Sequence, residues 1–129
     1  MPTPVQQMQA IIIALSDESS DLETGTNVTQ FRMPYAFNLT EIPRASVSTA
    51  PAGAVITVDI NAGASTPATI LSTKLTIDAG EKTSVTASTP AVLSSTTLAN
   101  DDIVTFDIDQ IGSSTAGVGL KVALIGFKL

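Results

Sequence analysis

The chain contains no cysteine, no histidine and no tryptophan. Without cysteine there is no disulfide, thiolate metal site or Cys nucleophile. Without histidine the commonest general base and the commonest zinc ligand are both missing. Aromatic bulk comes only from four Phe and one Tyr, although hydrophobic residues make up 43% of the 129 residues. The core is therefore expected to be aliphatic. Charge is also scarce: DEKR residues are 14% of the chain, and twelve acids against six bases leave a net charge of −6. That sign repels phosphate backbones, so no nucleic-acid partner is expected. The longest apolar run, Ala10 to Leu15, is far short of the roughly 20 residues of a membrane-spanning helix. No membrane partner is expected either. The opening MPTPVQQMQ has no basic side chain and does not read as a signal peptide, so the chain is expected to be made in the cytoplasm.

What the sequence does have is hydroxyl groups and short alternating segments. Ser and Thr together number 31, a composition suited to β-structure with hydroxyl-covered faces. Its length suits one domain with its own core. Residues 1–7, with Pro2 and Pro4, read as an extended arm, and residues 8–129 as a single domain. Met8 to Leu15 (MQAIIIAL) reads as a strand covered on both faces, because three consecutive β-branched Ile disfavour a helix. Ser16 to Asn27 is an acidic surface loop. Val28 to Met33 and Tyr35 to Glu41 are strands hinged at Pro34, which has no N–H for a ladder.

Arg44 to Thr49 continues as a strand, with a turn at Pro51 to Gly53. In Val55 to Asn61, Ile56, Val58 and Ile60 alternate with Thr57, Asp59 and Asn61, the period-2 signature of a half-covered strand. Thr69 to Ile77 reads as one strand, Asp78 to Glu81 as a turn, and Thr83 to Ala87 as a further strand; Ala91 to Thr97 is ambiguous. Ile103 to Ile111 alternates again, and Val118 to Leu129 closes the chain as a long strand with Val118, Leu120, Val122 and Leu124 on one face. The pattern predicts an all-β fold: an antiparallel β-sandwich, jelly-roll-like, with the apolar first and last strands paired near its centre. An immunoglobulin-like sandwich is the alternative, weakened by the missing Cys and Trp.

Few constellations offer chemistry. Asp107 and Asp109 project from the same strand face and could serve as an acid–base pair or a calcium site. The simpler reading is a solvated strand surface. Asp17, Glu18, Asp21 and Glu23 lack the spacing of a calcium loop. No G-x-S-x-G elbow and no G-x-G-x-x-G turn is present, so neither an enzymatic activity nor a cofactor is expected. Phe31, Arg32, Tyr35 and Phe37 around Pro34 read as core packing with Tyr35 at the rim, or as a small partner-contact patch. Ile125, Phe127 and Leu129 make the second face of the closing strand apolar too, which suggests cover by another subunit.

The segments FRMPYAFNLTEIPRASVSTAP, VITVDIN, ILSTKLTIDAGEKTS and DDIVTFDIDQIGSSTAGVGLKVALIG span roughly Val28 to Phe127. This pattern resembles small β-sandwich proteins of tailed bacteriophages: capsid decoration or cement proteins, and the end modules of fibres and spikes. The resemblance implies a jelly roll that assembles as a homotrimer, with no active-site residues to carry over. The chain lacks the long N-terminal attachment or coiled-coil region of the fibre-tip members. The expectation is thus a non-enzymatic decoration protein on the capsid surface of the virion, bound to the major capsid protein. Met1, Pro2 and Pro4 of the arm, with Ile125, Phe127 and Leu129, are the contact candidates. The alternative is a fibre or spike module that recognises host-surface glycan with loops around Asn61 to Pro67 and Ser113 to Gly117.

Overall fold

A computed structural model of the chain describes residues 8–129. Twelve short strands are present in that span: β1 (Gln9–Ala14), β2 (Gly25–Arg32), β3 (Phe37–Leu39), β4 (Arg44–Ser46), β5 (Ile56–Gly63), β6 (Ala68–Thr69), β7 (Leu71–Thr73), β8 (Leu75–Ile77), β9 (Val92–Leu93), β10 (Thr97–Leu98), β11 (Ile103–Ile111) and β12 (Lys121–Lys128). One sheet runs β1-β12-β3-β10, with β4 also beside β12. The other runs β2-β11-β5-β6, with β8 also beside β5, and β7 and β9 form a small ribbon. Every named pairing is antiparallel. The fold is an all-β sandwich, as the period-2 pattern predicts.

Its core is the set of inward rows that alternation selects. Ile56, Val58 and Ile60 of β5, Val104, Phe106 and Ile108 of β11, and Val122 and Leu124 of β12 are buried in one aliphatic cluster with Leu98, Leu120 and Phe37. Phe31 stacks on Phe106 with ring centroids 6.2 Å apart, a spacing within the favourable range for aromatic pairs. Phe37 is fully buried, while Tyr35 sits half-buried at the rim and donates its hydroxyl to Gln9 Oε1 at 2.7 Å. The aromatic cluster around Pro34 therefore closes one end of the core.

β11 is re-phased near its end. Ile108 pairs with Val58, but the next partner of Thr57 is Gln110, so Asp109 is an extra residue in the ladder. The bulge turns Ile111, rather than Gln110, toward the core opposite Ile56. A second close fit lies on β12, where a Cβ added to Gly126 would overlap the Asn38 carbonyl oxygen of β3. Only glycine lets those two backbones approach.

β2 begins at Gly25, inside the stretch read as a loop, and four larger differences follow. Thr69 to Ile77 is three strands, because the chain leaves β5 after β6, pairs with β9 as β7 and returns to β5 as β8. Ser84–Thr86 is a 3-10 turn whose start is capped by Thr83, its hydroxyl accepting from the Val85 N–H at 3.1 Å. The closing strand begins at Lys121, since Gly119 takes φ +73° just before it. Finally, β1 does pair with β12, yet among the described residues it is the outermost strand of its sheet and its second face is uncovered.

Candidate functional site

The β1–β12 pair turns one apolar face away from the core, and no other described element covers it. In the β1–β12 register Ala10 lies opposite Ile125, Ile12 opposite Ala123 and Ala14 opposite Lys121, while Ile11 faces Leu124 and Ile13 faces Val122. Directly opposed residues share a face. Leu124 and Val122 are core, so Ala10, Ile12 and Ala14 point outward together with Ala123, Ile125 and Phe127. Ile12 is 67% exposed and Met8 47%. Apolar side chains thus form a contiguous outward strip across both strands, with no layer of the described chain over it.

That strip is also free of acid in a protein of net charge −6. The strands β1, β3, β4, β10 and β12 hold Arg44, Lys121 and Lys128 and no carboxylate. Two of these cations are paired locally, Lys121 with Glu18 and Arg44 with Glu41. The strip runs on past Met8, whose sulfur contacts the Thr40 hydroxyl at 3.3 Å. Thr40 borders a groove of about 520 Å³ whose walls include Ile42, Pro43, Val85, Pro90 and Leu93.

Of the residues singled out from the sequence, Ile125 and Phe127 lie half-buried on this strip, and Leu129 is 62% exposed at its end, its N–H donating to Ala36 O at 2.9 Å. Met1, Pro2 and Pro4 lie outside the described residues. The sequence reading did not single out Met8, Ala10 and Ile12, because both faces of MQAIIIAL are apolar and alternation cannot say which is covered. The register with β12 decides it.

The paired carboxylates of β11 sit on the outer face of the other sheet, where Asp107 is opposite Asp59 of β5. Like charges directly opposed are unfavourable, and each is surrounded by donors. Asp107 accepts from the Asn27 N–H at 2.8 Å and from Asn61 Nδ2 at 3.0 Å. Asp59, only 7% exposed, accepts from the Thr69 hydroxyl at 2.5 Å and the Ile60 N–H at 2.9 Å. Lys74 donates to Asp109 at 2.6 Å and lies 3.9 Å from Asp59. The hydrogen bond that Lys74 donates to Asp109 holds its ammonium above its ordinary range. An amine kept charged in this way is a poor nucleophile or base, and the cluster is a cross-strand brace between β5, β11 and the β7–β8 link.

The acidic loop is braced as well. Asp17 accepts from the N–H groups of Ser20 at 2.7 Å and Ser19 at 3.1 Å, and those bonds hold its carboxyl below its ordinary range. The two loops of the glycan reading are apart: Gly63 is opposite Ile103 at one end of β11, while Ser113 follows Ile111 at the other. Eight residue steps of strand separate those ends by about 26 Å. No protein-family model matches the chain, and neither a curated protein nor a solved structure does.

Proposed function

We propose that this protein is a non-enzymatic structural component of a bacteriophage virion, a decoration or cement protein that binds the outer capsid surface as a trimer and stabilises the head. The observation that carries the reading is the acid-free apolar strip of Met8, Ala10, Ile12, Ala123, Ile125 and Phe127, over which the described residues place no layer. Such strips on soluble domains are docking surfaces. The strand order supports a jelly roll: β1, β12, β3/β4 and β10 alternate between the sheets with β2, β11, β5 and β6/β8, the interleaving of two Greek keys.

Size supports it too. A standard interface takes about 800 Å² from each partner, and the chain exposes 6614 Å². Contacts with the two neighbouring subunits of a trimer and one with the capsid would together cover a little over a third of it. Repeating modest contacts over a lattice multiplies them into resistance against pressure from within the shell.

The fibre-module reading is the weaker one, since the two loops it needs lie at opposite ends of β11 and offer no aromatic platform. Electron cryo-microscopy of the virion tests the choice. The expected result is the chain in many copies over the head, with the β1–β12 strip against the shell or a neighbouring subunit. A few copies confined to the tail, or a strip facing solvent in every copy, would overturn it.

A further inference from the structure

We propose that β1 is a self-pairing edge: it joins the β1 of a second copy in antiparallel register about a two-fold axis through Ile12. The contact goes beyond the capsid reading and does not need it, because it is a property of the chain by itself.

Three observations carry it. The first is the open backbone. Leu15 donates its N–H to Leu120 O at 2.9 Å, so the residues in step with it, Ile11 and Ile13, aim their backbone groups at β12. Ala10, Ile12 and Ala14 aim theirs at the other edge, which no described strand pairs with. The Thr29 hydroxyl donates to the Ala14 carbonyl at 3.2 Å, which leaves that oxygen a second lone pair.

The second is that Ala10–Ile11–Ile12–Ile13–Ala14 reads the same in both directions. In an isologous contact the same patch must complement itself. Centred on Ile12, the pairing sets Ala10 against Ala14 and Ile12 against its own copy, on the outward face. It sets Ile11 against Ile13 on the inward face. About six backbone hydrogen bonds would form between the three outward-aimed residues of each strand. A slip of one residue would turn the partner's half-buried Ile11 and Ile13 to the outside.

The third is charge. Exposed edges are usually guarded by Lys, Glu or Pro, and Met8 to Leu15 contains none of them. Two copies that each carry a charge of −6 can meet here without opposing carboxylates. The nearest cation, Lys121, is already paired with Glu18 of its own chain. The joined sheets would merge both apolar strips into one surface of twice the width. Where the outer faces build three-fold rings, this edge is left to link ring to ring.

The absence of cysteine from the chain makes the register directly testable. Across the axis, hydrogen-bonded partners lie about 5.5 Å apart at Cα, inside the disulfide range of about 4.4–6.8 Å. Two copies of residue 10 would be about 14 Å apart along the strands. Under mild oxidation Ile12→Cys should give a covalent dimer, Ala10→Cys alone should not, and a mixture of Ala10→Cys with Ala14→Cys should. The wild-type chain should show two-fold association in sedimentation velocity over a dilution series. Ile12→Lys, at an exposed position, should abolish the association while its circular dichroism and melting temperature stay near wild type. A wild-type chain that never associates, a three-fold trimer in which Ile12→Cys does not cross-link, equal cross-linking at positions 10 and 12, or undiminished association of Ile12→Lys would each overturn the proposal.

Discussion

Truncating Leu124 and truncating Ile12 should have very different consequences, although the two aliphatic residues sit on paired strands only a residue apart in register. Leu124 is fully buried and packs in the central cluster. Leu→Ala at such a site costs about 2–5 kcal/mol, the lost transfer energy plus the cavity left behind. For a domain of this size each kcal/mol lowers the melting temperature by about 4 °C, so Leu124→Ala should melt about 8–20 °C early. Ile12 is 67% exposed, so a third of its side chain leaves water; at about 1.5–3 kcal/mol for full burial, Ile12→Ala costs about 0.5–1 kcal/mol. Urea denaturation of both variants, with equal m-values and at protein concentrations low enough to suppress association, gives the comparison. Equal losses at the two positions would refute the face assignment on which the strip, the capsid reading and the self-pairing edge all rest. A loss at Ile12 that grows with protein concentration would instead report the dimer.

Gly126→Ala should cost about 1–3 kcal/mol through the clash with the Asn38 carbonyl, read as a lower urea midpoint. Asp59→Ala leaves the Thr69 hydroxyl and the Ile60 amide without their carboxylate and should cost about 1–3 kcal/mol, whereas Asp59→Asn, which keeps an acceptor oxygen, should cost less. Lys74 is raised in the folded state, so its contribution is full below the unfolded value near 10.5 and is lost as pH rises through the folded value. Wild-type stability should therefore fall above that pH, and Lys74→Met should flatten the alkaline limb in melts followed by circular dichroism. Asp17 is lowered and fully exposed, so its small contribution is present at neutral pH and fades as pH falls through the carboxylate range; Asp17→Asn should be less sensitive to acid in the same assay.

Strands β5, β11 and β12 are legible because each is long enough for alternation to repeat several times between turn residues. The three pieces β6, β7 and β8 are not, since a strand of two or three residues carries no period and exists only through what it pairs with. The bulge at Asp109 is equally silent in sequence, and it alone explains why Ile111 packs inward out of phase with Ile108. Of the candidate site, Ile125 and Phe127 can be picked out as the second apolar row of a strand whose first row is plainly core. Their partners Met8, Ala10 and Ile12 cannot, because MQAIIIAL is apolar on both sides.

Composition and period 2 by themselves determined an aliphatic β-sandwich without thiol or imidazole chemistry, since those properties belong to single residues and to near neighbours along the chain. Which strand lies at an edge, which apolar row meets the core and which is left to a partner were decided only by the tertiary structure. Those are relations between segments more than a hundred residues apart, Ala10 with Ile125 and Ala14 with Lys121, and local patterning holds no information about register across such a distance.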